Sequence, residues 1–227
     1  MLQQNEINNI RFPLINIRRT SNLAVAPINT FSLAIGLFMI AAPLMEWCEF
    51  KSPTLGVALA CGGICQYIIG IYNWYQNETI LSFIDFSFSF LFFLICYVIY
   101  YATQSMQTLV IGQIVIKSEM FESYMMGTFF LLYLVCLLAL AFACLNSKNK
   151  GLIHLIYLGL IVIADVFIIV WEYRSKNNKP NILKRLRKVA GYFLFVASIA
   201  LWYSGVGRFI NEIFQKNMIP LVESPNA

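Results

Sequence analysis

Charge is what this chain has least of. Only 12% of its 227 residues are Asp, Glu, Lys or Arg, about half the share usual in a soluble globular domain. There is a single histidine, and no Cys-x-x-Cys pair occurs, so a zinc knot or a thioredoxin-type redox centre lacks its ligands. No glycine-rich phosphate loop or nucleotide motif is present, and no polar stretch is long enough to build a soluble domain. These absences argue against metal-dependent and nucleotide-driven catalysis and against nucleic-acid binding. No catalytic residue, cofactor or metal ion is expected.

What fills the space instead is apolar. Hydrophobic residues make up 59% of the chain, arranged in six runs near the length of about 20 residues that crosses a bilayer. They extend from about Asn29 to Met45, Thr54 to Tyr72, Ile80 to Ala102, Tyr124 to Leu145, Leu152 to Trp171 and Val189 to Val206. Backbone polar groups cannot go unpaired in hydrocarbon, and the runs lack the alternation of a barrel strand, so each is expected to be helical. The expected fold class is an all-α polytopic membrane protein with six transmembrane helices. Residues 1–28 form an N-terminal tail, 29–207 the transmembrane domain and 208–227 a C-terminal tail.

The opening MLQQNEINNIRFPLINIRR has no apolar core followed by a small-residue cleavage site, so the tail is expected to be retained. Trp47, Trp74, Tyr100, Tyr101, Tyr124, Trp171 and Tyr173 fall at the run ends, as an interfacial aromatic belt requires. Cys61, Cys65, Cys96, Cys136 and Cys144 lie inside the runs and are expected as free thiols packing like small apolar groups.

Charge does not orient these spans. With the N-terminus inside, seven of the sixteen Lys and Arg fall inside and nine outside, against the positive-inside tendency. Seven of the nine belong to one stretch, EYRSKNNKPNILKRLRKV, expected as a loop. Outside, it would gather anions at a pore mouth; the simpler reading is contact with solvent or lipid headgroups.

The second run holds CGGICQYIIGIYNWYQNETI, residues 61–80. On a regular helix Gly56, Ala60, Gly63 and Gly70 share one face, which would let a neighbouring helix approach closely, since packing holds helices together in lipid. Gly56, Gly63 and Gly70 are the expected helix-packing positions. Gln66 and Asn73, seven residues apart, lie near the same face and can hydrogen-bond across helices.

Polar side chains inside other runs are candidate sites, because ionisable groups are costly in a membrane. In the third run Glu78, Ser82, Asp85 and Ser89 form a stripe with Phe88 on its flank; the alternative for Asp85 is a favourable place near a helix N-terminus at the interface. In the fifth, His154, Leu158, Ile161, Asp165 and Glu172 share a face, with Asp165 well inside. Asp165 and Asp85 are candidates for proton coupling, a buried pair being the alternative for Asp165. Asn29, beside Pro27, either caps the first helix or binds an anion there.

GGxxQ in the second run, followed by a short polar loop and an aromatic third run, resembles the acetate uptake transporter family, also called the succinate-acetate permeases. The closing NEIFQKNMIPL, with Asn211, Glu212, Pro220 and Leu221, is similar to that family's terminal NE…LP segment. The family's NPAPLGL signature falls on AVAPINT, residues 24–30, where Ala26 and Pro27 are unchanged and Ile28 replaces Leu, while Ala24, Val25, Asn29 and Thr30 depart from it. The resemblance covers residues from about 22 to 223.

The resemblance implies six-helix protomers assembled as hexamers. Each would carry its own path for acetate or related small monocarboxylates, in several members coupled to protons, with both termini cytoplasmic. It places an apolar constriction at Leu33, Phe88 and about Leu160, where Leu33 stands for a usual Phe and Phe88 for a usual Tyr. The lost hydroxyl removes a hydrogen-bond donor from a site that selects carboxylates. The expected function is therefore a transporter or anion channel for acetate and small monocarboxylates in the plasma membrane, with a substrate path at Leu33, Phe88, Leu160, Asn29 and Gln66. The expected partners are the substrate, the lipid bilayer and further copies of the chain. The alternatives are permeation of another small solute such as ammonia, or a non-conducting sensor or scaffold.

Overall fold

A computed structural model describes residue 25 and residues 27–49, 52–108, 118–146, 152–174, 180–214, 216 and 218–221. Every regular element among them is helical. In chain order these are α1 (Pro27–Leu44), α2 (Ser52–Ala58), a π-helical segment (Leu59–Cys65), α3 (Gln66–Tyr75), α4 (Thr79–Thr108), α5 (Ser118–Asn146), α6 (Leu152–Arg174) and α7 (Pro180–Phe214). The expected N-terminal tail lies outside the described residues, apart from residues 25, 27 and 28.

Five described segments are long and apolar enough to cross a bilayer: Pro27–Leu44, Pro53–Tyr75, Thr79–Tyr97, Leu155–Tyr173 and Ile182–Phe214. Gly127–Phe142 in α5 is a shorter apolar helix. The outer surface is apolar, with Phe90, Leu132, Val135 and Ile199 all exposed. A soluble protein does not leave so many large apolar side chains outside, whereas a helical membrane protein presents them to lipid.

The neighbours follow from small residues and rings. Gly191 meets Leu44 and Met45, and Gly205 meets Thr30 and Phe31, so α7 packs along α1 at both ends. The Trp202 ring stands edge-on to Phe31 at 5.0 Å between them. Phe167 stacks on Phe193 across the α6–α7 seam at 5.8 Å, and Gly127 lies against the Tyr173 ring across α5–α6. Ser87 Oγ and Cys136 Sγ, 3.8 Å apart, join α4 to α5. One buried cluster with members on α1, α4, α5, α6 and α7 fills the interior.

The Gly-Gly pair is explained by a departure from the regular helix. The π-helical turns over Leu59–Cys65 shift every later residue around the axis relative to an α-helix. Gly62 and Gly63 are both buried, and Gly62 makes the closest approach: a Cβ there would lie 2.5 Å from the Phe92 ring, and a Cβ on Gly36 would lie 2.8 Å from the Gly62 Cα. α1, the π segment and α4 meet at this point. Gly56 has open space beside it, so no described helix of the same chain packs there; the phase change takes it off the face of the later glycines. A Cβ on Gly63 would lie a tight 3.3 Å from Leu59 and an ordinary 3.7 Å from the Phe93 ring, while one on Gly70 would sit 3.0 Å from the Phe86 ring.

The basic stretch is also not a plain loop. Its second half is the start of α7, which at about 1.5 Å per residue is near 50 Å long and outreaches a hydrocarbon core of about 30 Å. Lys184 and Lys188 pair with Glu46 at 3.3 and 2.8 Å, and the Arg187 guanidinium donates to the Pro43 carbonyl at 2.9 Å. Much of this charge ties α7 to the end of α1. At the other end, Asn211 holds the returning C-terminal segment by two bonds with the Ile219 backbone, at 2.9 and 2.8 Å. α7 thus runs beyond residue 207, where the transmembrane domain was expected to close.

Candidate functional site

The buried polar residues of α1, α3 and α4 form one network. Asp85, 2% exposed, accepts from Asn29 Nδ2 through Oδ1 at 3.0 Å and from Asn73 Nδ2 through Oδ2 at 2.6 Å. Gln66, fully buried, donates from Nε2 to the Asn29 carbonyl at 3.0 Å and to Ser32 Oγ at 2.7 Å. Ser32 Oγ in turn donates to the Asn29 carbonyl at 3.0 Å.

The local sequence places each member. A three-residue turn joins α3 to α4, with the Asn77 amide on the Trp74 carbonyl and the Glu78 amide on the Asn73 carbonyl, both at 2.9 Å. Asn77 takes the left-handed conformation, φ 62°, that this helix ending requires and that Asn tolerates better than most residues. The turn lays α3 antiparallel on α4 and brings Asn73 to Asp85. Ser82 and Ser89 donate to the Gly70 and Gly63 carbonyls, each at 2.9 Å, so the polar stripe of α4 is satisfied along its length.

One expectation is corrected here. Asn29 lies inside the first turn of α1 and its amide reaches across to α4, so it is not a local cap. Asp85 is buried in the second turn of α4, near that helix's N-terminus, and is held there by side-chain amides from two other helices. Glu78 is exposed and outside the buried stripe.

The donor inventory decides what this site can bind. The Asn29 carbonyl only accepts, so the amide nitrogen of Gln66 must point at it, leaving Gln66 Oε1 as the outward acceptor. That oxygen is buried and has no hydrogen-bond partner. The network therefore shows a carboxylate and a free amide oxygen and no spare amide hydrogen from Gln66. A solute meeting it is best held if it brings a donor.

The residues expected to narrow a path lie beside the network. Leu33 follows Ser32, and Phe88 is one turn beyond Asp85; they are 3% and 0% exposed and belong to the same buried cluster. Leu160 is half-buried against that cluster. In α6, Leu158, Ile161 and Asp165 are buried and Glu172 is half-buried; the His154 side chain lies outside those described. The network does not include Asp165. Sequence reasoning missed two buried tyrosines of α5 and α6, Tyr133 and Tyr157, because these helices are apolar on nearly every face and no spacing singles a tyrosine out. Ser32 was missed as well, although its place three residues after Asn29 was the available signal.

Among the described residues, no three or more His, Cys, Asp or Glu side chains gather as metal ligands. Cys48, Cys61, Cys65, Cys96 and Cys136 are free thiols.

No protein-family model matches this chain, and no curated protein matches it in sequence. Its fold is nevertheless shared with a solved structure described as that of the bacterial acetate channel SatP. The two superpose with a TM-score of 0.69 at 14% identity, over 87% of this chain and 97% of that one. At that identity the likeness establishes the shared helical fold and no more.

Proposed function

We propose that this chain is a membrane transporter or channel for acetate and related small monocarboxylates, with its path beside Leu33, Phe88 and Leu160. The observation that carries the proposal is the fold shared with an acetate channel over nearly the whole of both chains. The polar network at Asp85 includes Ser32, next to Leu33, and lies about one helical turn from Phe88, and it adds a constraint on the form that passes. A carboxylate anion carries only acceptors and would face the Asp85 charge; a carboxylic acid carries one donor and no net charge. Gln66 Oε1 can accept that donor. Passage as acid, or as anion together with a proton, therefore suits this site better than bare anion flow.

The same feature favours a second reading. Ammonia also brings donors and no charge, so a chain with Asp85, and with Phe88 in place of a tyrosine hydroxyl, is suited to ammonia as well. Further elements of the proposal are six membrane-spanning helices, assembly as a homo-oligomer, a hexamer by resemblance, both termini cytoplasmic and a place in the plasma membrane. Flux of labelled acetate and of ammonia into liposomes holding the purified protein tests it, with and without an inward proton gradient. Saturable acetate uptake stimulated by the gradient is expected. Ammonia flux alone would establish the second reading, and no flux from folded protein would leave a sensor or scaffold.

A further inference from the structure

α5 and α6 pack antiparallel, with Gly127 against the Tyr173 ring and Thr128 Oγ1 3.1 Å from the Tyr173 hydroxyl. At about 1.5 Å per residue from that contact, Tyr133 on α5 and Asp165 on α6 come to within about one turn of the same level, outside the network at Asp85. They are 7% and 4% exposed. The Tyr133 hydroxyl and Asp165 Oδ2 are both buried, and neither has a hydrogen-bond partner. Among the described residues no Lys, Arg or His is paired with Asp165. Polar atoms are seldom left this way in an interior, and two of them on facing helices mark a place where something binds.

The chemistry narrows the occupant. Anions are repelled by a carboxylate. A hard metal cation wants about six oxygen ligands, and no cluster of three or more acidic, Cys or His side chains gathers among the described residues. One carboxyl and one hydroxyl suit a proton, since a carboxyl buried without a cation is least costly when neutral. We propose that Asp165 and Tyr133 form a proton-binding site on the α5–α6 seam. A hydronium ion of the aqueous phase gives its proton to Asp165 Oδ2 and is left as water, and the new O–H donates through one water molecule to the Tyr133 hydroxyl oxygen.

This inference rests on the proposed carboxylate passage, to which the site is joined by packing. Tyr133 belongs to the same buried cluster as Leu33 and Phe88. Cys136 touches Ser87, the residue before Phe88. Loading the site changes the polarity of a wall shared with the path, and so sets how flux depends on pH.

Infrared spectroscopy of the purified protein and liposome uptake across a pH series test it together. The native protein is expected to show a protonated-carboxyl C=O band that Asp165→Asn removes and Tyr133→Phe displaces. In liposomes, Asp165→Asn is expected to lose stimulation by a proton gradient, Tyr133→Phe to move the pH midpoint of uptake, and Asp165→Glu to restore the stimulation. A folded Asp165→Asn protein that keeps its gradient stimulation, or a band indifferent to Tyr133→Phe, overturns the site. Should Asp165→Asn fail to fold, the Tyr133→Phe band and midpoint decide by themselves. The infrared result needs no substrate: a Tyr133-sensitive Asp165 band without acetate flux supports the site and rejects the carboxylate reading, whereas flux without that band does the reverse.

Discussion

The side-chain amide of Asn73 donates to Asp85 at 2.6 Å, joining α3 to α4 within the buried interior. Together with Asn29, it gives a membrane-buried carboxylate two side-chain amide donors. This arrangement is stable only while each member is present, because hydrogen bonds to a charged group contribute about 1.5–3 kcal/mol each and orphaned partners are costly.

Asp85→Ala is therefore expected to lower the melting temperature in detergent strongly, by a loss on the order of 2–5 kcal/mol. Asp85→Asn, which keeps the shape and one acceptor, should lose much less. In liposomes Asp85→Asn should also raise passage of the anionic carboxylate relative to ammonia. Equal melting temperatures for the two variants would show that the network does not hold α1, α3 and α4 together.

Gly62→Ala should destabilise by roughly 1–3 kcal/mol, the usual cost of overpacking, since its Cβ would fall 2.5 Å from the Phe92 ring. Adding Phe92→Leu should return part of that loss. Gly56→Ala, with nothing within 4 Å, should be neutral or stabilising by up to about 1 kcal/mol through helix propensity. Thermal melting of the three variants checks the order.

Phe88→Ala should raise uptake of longer monocarboxylates such as butyrate relative to acetate, because it removes a fully buried ring from the expected constriction. Phe88→Tyr returns a hydroxyl donor and should favour acetate over ammonia. Competition uptake with both solutes measures each ratio; unchanged ratios in both variants would take Phe88 off the path.

Outside the membrane, the hydrogen bond from Lys188 holds Glu46 below the usual carboxylate range, opposed by desolvation and aided by Lys184. Because the folded-state value is the lower one, the stabilisation is complete above the ordinary glutamate value of about 4.3. It is lost as pH falls through the depressed folded value. Glu46 is exposed, so the effect should be small and should fade with added salt. Melting temperatures of the native protein and Glu46→Gln between about pH 6 and 3 should converge at the acid end.

Much of this molecule was legible from its residues. Long apolar runs allow only helices in lipid, so the fold class followed from composition and backbone hydrogen bonding. Gln66, Asn73 and Asp85 stood out because polar side chains are conspicuous in such runs. The start of α7 was hidden because Lys184 to Lys188 dominate its composition, yet that segment needs no apolar face once it extends beyond the bilayer.

Sequence by itself determined that this chain is helical and membrane-embedded, and which polar residues lie inside its spans, because those properties depend on local pattern and solvent. Only the tertiary structure decided how they meet. A π-helical turn chose Gly62 over Gly56 as the contact, Asn29 found Asp85 across 56 positions of chain, and Asp165 came to lie near a tyrosine that no periodicity marked. Such pairings depend on the phase and packing of separate helices, which the spacing along any one of them does not contain.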